Sequence, residues 1–184
     1  MWSRATVLLA LGLLAPASAA GTIELLETTH ADGRYTVTFE VVLNADRDKV
    51  WQIMTDYEHL PRVSKIITES RVLKSQDANR HRVGVTLEAC VLIFCKTVKR
   101  LVDIDARPQT EIFVTEVPEQ SDFREGKERW RVAAEGPKTR LHYTAELVPD
   151  FFIPPLIGPV VVKYFLRREI RLTALEVEAL ASHE

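Results

Sequence analysis

Cysteine is scarce in this chain: 184 residues hold two, Cys90 and Cys95. They form no CxxC pair and have no histidine beside them, so a thiolate metal centre finds no ligand set. Neither sign of charge is in large excess, with 24 Lys and Arg against 26 Asp and Glu and a formal net charge of −2. No basic run is interleaved with aromatics, and nucleic-acid binding lacks its electrostatic footprint. Internal repeats, low-complexity linkers, a Gly-rich phosphate loop and a Ser/His/Asp constellation are also missing. No catalytic residue, metal or cofactor is assigned on these grounds.

An apolar run long enough to span a bilayer as a helix is missing too. The longest, "ATVLLALGLLA", is too short. It follows Arg4 and precedes the small residues "APASAA", the pattern of a cleaved secretory signal peptide over residues 1–20. Cleavage fits after Ala19 or Ala20, and no cysteine near that point offers a lipoprotein anchor. Residues 21–184 read as one domain, exported to an oxidising compartment such as the bacterial periplasm. In that setting Cys90 and Cys95 pair by default.

What is present is an ordinary globular balance, 46% apolar and 27% charged residues. "IELLETTHADGRYTVTFEVVL" predicts a hairpin turning at Asp32-Gly33. Its second arm places Tyr35, Val37, Phe39, Val41 and Leu43 on one face. Asn44 or Asp46 caps a short helix containing Val50, Trp51, Ile53 and Met54, and Pro61 ends or kinks a second. Six more strands follow, separated by "QDAN", "RPQ", "PEQS" and "EGPK". A long helix over about residues 156–181 closes the chain. The pattern is α+β: a curved antiparallel sheet of seven strands or slightly more, two short helices, and a terminal helix long enough to cover the greasy face.

Pairing Cys90 across from Cys95 sets a register in which partners sum to 185. Val83 then faces Val102 and Leu87 faces Val98, while Arg82 meets Asp103 and Glu88 meets Thr97. Apolar and charged partners segregate to opposite faces, and a one-residue slip mixes them. The tip so pinned, Val91, Leu92, Ile93 and Phe94, is apolar where turns are usually polar. It either folds back into the core, or lines a cavity mouth or touches a membrane. A second greasy connector, "VPDFFIPPLIGPVVV", carries Phe151, Phe152, Ile153, Leu156 and Ile157. In a meander both connectors fall at one end of the sheet, with the Val63-Ser64 connection and "PEQS". An apolar patch of that kind marks a binding or membrane-contact surface.

"LNADRDKVWQIMTDYEHLPRVSKIITESRVL" and the late "GPKTRLHYTAELVPD" before a long helix resemble the START-like polyketide cyclase/coenzyme Q-binding superfamily, also called SRPBCC. The resemblance covers essentially the whole chain after residue 20. It implies a helix-grip (START/Bet v 1-like) fold with an apolar cavity between sheet and C-terminal helix. Members bind lipids, sterols, polyketides or quinones, and a minority are enzymes. The leader and the cysteine-pinned tip set this chain apart from cytosolic and organellar members.

Strand parity places Arg100 with Val98, Val102 and Ile104, and Glu128 with Trp130 and Val132. In the long helix Lys163, Arg167, Arg171 and Glu178 share one arc, expected to face solvent. Val162, Phe165, Leu172, Thr173 and Leu180 share the opposite arc, which also takes in Glu169. The candidate cavity residues are Arg100, Glu128, Trp130, Tyr143, Phe165, Glu169 and Leu172. An inward Arg100 needs a partner, and Glu169 is the candidate, unless Arg100 reaches solvent at an edge past a bulge. Tyr57 and His59 either reach the cavity or only pack the short helices.

The reading is a monomeric, secreted carrier of a hydrophobic small molecule or lipid, with transient membrane contact through its apolar loops. The alternatives are a cyclase/dehydratase-type enzyme on a polyketide-like or aromatic substrate, using Glu169, Glu128 or His59, and a protein-interaction module. The leader has a direct test. Intact-mass measurement on the protein exported by a bacterial host should give a chain beginning at Ala20 or Gly21, and a mass retaining Met1 removes the signal-peptide reading.

Overall fold

A computed structural model describes residues 21–91, 94–153 and 158–183; the leader and the tip residues Leu92 and Ile93, with Leu156 and Ile157 of the second connector, lie outside them. In chain order the elements are β1 (Thr22–Ala31), β2 (Arg34–Leu43), α1 (Arg47–Thr55), β3 (Ile67–Ser75), β4 (Arg80–Val91), β5 (Phe94–Arg107), β6 (Glu111–Glu116), β7 (Phe123–Glu135), β8 (Lys138–Pro149) and α2 (Gly158–His183). Two 3-10 turns, Leu60–Arg62 and Pro118–Gln120, sit in the connections. All eight strands join one antiparallel sheet in the order β1-β2-β8-β7-β6-β5-β4-β3. The first hairpin arm supplies the eighth strand beyond the expected seven.

Local chemistry explains the turns and ends. Asp32 and Gly33 both adopt left-handed backbone, φ 50° and 76°, as a tight two-residue hairpin requires. Of the two candidate caps for α1, Asp46 is the one used: its carboxylate accepts the amides of Asp48 and Lys49 at 2.9 and 3.3 Å. Pro61 lies at the start of its 3-10 turn, where a missing N–H costs nothing. Register shifts at Ile23/Leu25, Ile67/Glu69, Val72/Lys74 and Phe123/Glu125 mark bulges, which bend the sheet.

The β4–β5 register runs as the disulfide demands: Val83 faces Val102, Leu87 faces Val98, Arg82 faces Asp103 and Cys90 faces Cys95. Cys90 and Cys95 are bonded, with Cα atoms 4.0 Å apart. On the outer face Arg82 grips Asp103 with two bonds of 2.7 Å.

The core is uneven. Tyr35, Val37, Phe39, Val41 and Leu43 of β2 are all buried, and the last four pack with α1, with β8 and with Ala174, Val177 and Ala181 of α2. A second cluster, Tyr57 with Val83, Val102, Ile104, Ala106 and Ile112, lies across β4, β5 and β6. α2 packs closest on α1, β1 and β2. Glu178, expected in solvent, instead turns toward β1 and β2: its carboxylate accepts the amides of Gly21 at 3.0 Å and Asn44 at 2.9 Å. Two open backbone donors outweigh the wheel position, since an unmet amide costs more than a turned side chain.

Closing so short a loop contributes about 2 kcal/mol in the chain-entropy account. Replacing both cysteines, Cys90→Ser with Cys95→Ser, should therefore lower urea-unfolding stability by at most about 2 kcal/mol and leave unfolding cooperative.

Candidate functional site

Between the two clusters, under the first half of α2, lies a cavity of about 550 Å³. Its wall is mainly apolar: Val85, Val98, Val102 and Val114 from the sheet, and Val162, Phe165, Leu166 and Ile170 from α2. A predominantly apolar hollow of this size with a few convergent polar groups is the usual form of a small-molecule site.

The polar groups come from four neighbouring strands. Arg100 of β5 points inward, as its parity with Val98 and Val102 requires, and its side chain is 15% exposed. Its Nε and Nη2 donate to Glu116 at 3.1 and 2.7 Å, and Nη2 also donates to Glu128 at 2.6 Å. Tyr143 of β8 donates its hydroxyl to the other Glu128 oxygen at 3.0 Å. Phe123 lies over the guanidinium at 5.2 Å, and Trp130 stacks on Tyr143 at 4.1 Å. Burial acts to lower the Arg100 pKa, but the charges of Glu128 and Glu116 more than reverse it, so the guanidinium stays charged. Burial, then the Glu128 charge, pushes the Tyr143 phenol well above its ordinary value, so it remains a donor.

This network corrects the expected Arg100–Glu169 pair. Arg100 is held by Glu116 and Glu128, which reach it along the sheet, whereas Glu169 of α2 accepts from Arg168 at 2.7 Å. Glu169 is nonetheless buried and lines the cavity from the helix side. The edge-reaching alternative for Arg100 also falls away, since the β5 register is unbroken from Arg80↔Asp105 to Val91↔Phe94.

Glu116 was missed, although the pattern carried it. Ile112 and Val114 share its parity, so a strand with two apolar inward residues brings its third position inward as a carboxylate. Gly126, also missed, makes the room. A Cβ there would stand 2.7 Å from a Glu116 carboxylate oxygen, closer than real contacts come. Only the three-dimensional pairing of β6 with β7 reveals that need.

The other expected residues divide as follows. Trp130, Tyr143 and Phe165 line the cavity. Leu172 does not: it is 44% exposed and faces outward. It shares a wheel sector with Phe165, but two turns later the inward face of α2 has moved to Thr173, Ala174 and Val177 as the helix crosses a curved sheet. Tyr57 lines the cavity, its ring 5.4 Å from that of His81, which is half-buried rather than outward. His59 stays outside, bonded to Asp56 at 2.8 Å beside a shallow depression.

Phe151, Phe152 and Ile153 line one end of the cavity together with Ala89, Lys96 and Ser64. The Lys96 ammonium lies 5.3 Å over the Phe151 ring, which brings the β4–β5 and β8–α2 connections together. Asp122, just after the "PEQS" turn, ties to both: its amide donates to Lys99, and its carbonyl accepts from Asp150 at 2.9 Å. Val91 and Phe94 are backbone partners at the described ends of β4 and β5. Glu88, Cys90 and Cys95 form the one group of three clustered metal-type ligands among the described residues, and both thiols are consumed by the disulfide. No helix among the described residues is long and apolar enough to cross a membrane.

An eight-stranded curved sheet gripping a long C-terminal helix around an apolar cavity defines the START-like, helix-grip class of ligand-binding folds. Residues 34–181 match the family model described as polyketide cyclase / dehydrase and lipid transport, and the chain belongs to that family. Similar solved structures include the Zhui aromatase/cyclase from Streptomyces sp. R1128, with TM-score 0.69, 14% identity and coverage of 82% of this chain and 94% of that one. A START superfamily protein from Mycobacterium smegmatis gives 0.62 at 20% identity, covering 80% and 97%. A STAR-related lipid transfer protein from Xanthomonas axonopodis gives 0.55 at 14% identity, covering 86% and 97%. Among curated proteins no sequence matches significantly.

A buried ion pair that loses one partner leaves an uncompensated charge. Arg100→Ala, which strands Glu116 and Glu128 side by side, should lower stability by about 3–5 kcal/mol in urea unfolding. A double-mutant cycle with Glu116→Gln should show strong coupling.

Proposed function

We propose that this protein is an exported carrier that takes a hydrophobic, oxygen-bearing small molecule or lipid from a membrane and holds it out of water. The observation that carries the reading is the Arg100 guanidinium in an apolar cavity. Its Nε and Nη2 are taken by carboxylates, while Nη1 has no hydrogen-bond partner among the described residues. A hydrocarbon ligand with a carbonyl, hydroxyl or carboxylate supplies the missing acceptor, and the surrounding walls bury the rest. Glu116 and Glu128 hold the guanidinium in place, so the donor is oriented before the ligand arrives. The STAR-related lipid transfer protein among the structural neighbours, and the lipid transport of the family description, agree with this class of cargo.

Entry runs between the two connectors. Burying two or three side chains such as Phe151, Phe152 and Ile153 in a bilayer contributes roughly 1.5–3 kcal/mol each at most, which suits reversible contact. Export, by the leader, and a monomeric state complete the reading.

A second reading is favoured by the two carboxylates on opposite cavity walls, Glu128 and Glu169, with Tyr143 donating to the first. It is cyclase/dehydratase chemistry, as in the aromatase/cyclase neighbour. Product formation from a polyketide-like substrate, lost in Glu128→Gln or Glu169→Gln, would favour it over carriage.

Protein purified from its own host should carry a hydrophobic molecule visible by native mass spectrometry and recovered by lipid extraction. Thr173→Phe fills the cavity from α2 and should abolish retention at an undiminished melting temperature. Arg100→Met should weaken retention of oxygen-bearing ligands more than of pure hydrocarbons. An empty protein, or full retention in Thr173→Phe, overturns the carrier reading.

A further inference from the structure

We propose that the outer face of α2 docks on a phospholipid surface bearing anionic headgroups, beside the cavity mouth. The inference rests on the reading of the protein as a carrier that visits a bilayer, and adds which surface touches it and what lipid chemistry it selects.

Among the described residues, six large apolar side chains are strongly exposed, and Leu73 alone stands apart. The other five follow one another along the chain: Phe152 at the mouth, 83% exposed, then Val160 and Tyr164, each 70% exposed, then Leu172 and Leu175. The last four share the outer side of α2, a strip about 22 Å long at 1.5 Å per residue. Among the described residues nothing covers it: α2 touches α1, β1 and β2, and it packs into the core through Ala174, Val177 and Ala181.

Cations are interleaved with that strip. Between residues 158 and 175 stand Lys163, Arg167, Arg168 and Arg171, with one acid, Glu169, in a chain whose overall charge is −2. Glu169 is buried toward the cavity, where it occupies Arg168. Arg167 donates to the Leu26 carbonyl at 2.9 Å, which leaves its charge uncompensated, and Lys163 and Arg171 have no ion-pair partner among the described residues. Past Glu169 the next acid along α2 is Glu176, and Glu27 of β1 shares the sheet face of its partner Thr38, away from the helix. The helix dipole favours acids early and cations late, and α2 does the reverse, so helix stability does not account for the placement.

Exposed aliphatic and tyrosine side chains set among Arg and Lys are the composition of an interfacial helix on an anionic membrane. A second copy of the chain fits less well. Antiparallel α2 helices would offer Glu176 to these cations, because Glu178 is already taken by the Gly21 and Asn44 amides. A headgroup layer supplies an anion to each.

Flotation of the full protein with vesicles of phosphatidylcholine, with and without phosphatidylglycerol, tests the proposal. Binding should favour the phosphatidylglycerol vesicles and weaken as salt rises. Each cation removed, in Lys163→Ala and Arg171→Ala, should weaken it roughly fivefold. Val160→Ser with Tyr164→Ser should reduce binding to both vesicle types. None of these four side chains belongs to the Arg100 network, so uptake of a fluorescent fatty acid from detergent micelles should be unchanged. Equal binding to both vesicle types, or no effect of the cation variants, overturns the proposal. Self-association in sedimentation without vesicle binding also overturns it and assigns the face to a second copy. Absent uptake by the unsubstituted protein, with intact phosphatidylglycerol preference, overturns the carrier reading and leaves the docking face standing.

Discussion

α2 is fastened to the domain over its second half. Ala174, Val177 and Ala181 are small or short enough to let the helix settle on β2, β8 and α1, and Glu178 ties it to the amides of Gly21 and Asn44. Over the first half, Phe165, Leu166 and Ile170 line the cavity, and only Leu166 and Ile170 among them also pack against the edge of the core. Cavity, mouth and exposed outer strip all follow from this one asymmetry of packing. A close-packed interior is the rule in proteins, and a hollow persists only where the surrounding frame is closed by other contacts. Here the frame is the continuous eight-stranded sheet with its bulges.

Within that hollow the Arg100 cluster sets the chemistry. A lone guanidinium in an apolar wall is costly, and two carboxylates on adjacent strands make it tolerable. The arrangement depends on Gly126, because any side chain there displaces Glu116. A rigid, charged donor in a greasy container is suited to a ligand that is mostly hydrocarbon with one oxygen-bearing end. The same groups, with Tyr143 and Glu169 nearby, also furnish the elements of acid–base chemistry.

Much of this was legible along the chain. Period-two alternation in β2, and in β4 and β5, states which side chains are buried whatever their neighbours, and the paired cysteines selected a register that every cross-strand partner respects. Arg100, Glu128, Trp130, Phe165 and Glu169 follow from parity or helical phase, and all line the cavity. Leu172 and Glu178 were misplaced for a shared reason. A helical wheel assumes one inward direction from end to end, whereas α2 crosses a curved surface and its inward direction turns along its length.

The sequence by itself determined the strand pattern, a curved sheet closed by a terminal helix, the inward residues of β2, β4, β5 and β7 and the position of the two apolar connectors, because these follow from local periodicity and turn chemistry. The tertiary structure alone decided which carboxylates hold Arg100, where the cavity ends and which side of α2 is left bare. Those are matters of distance between strands and helix, set by bulges, by a missing Cβ at Gly126 and by how closely small residues let α2 approach, and no single segment encodes them.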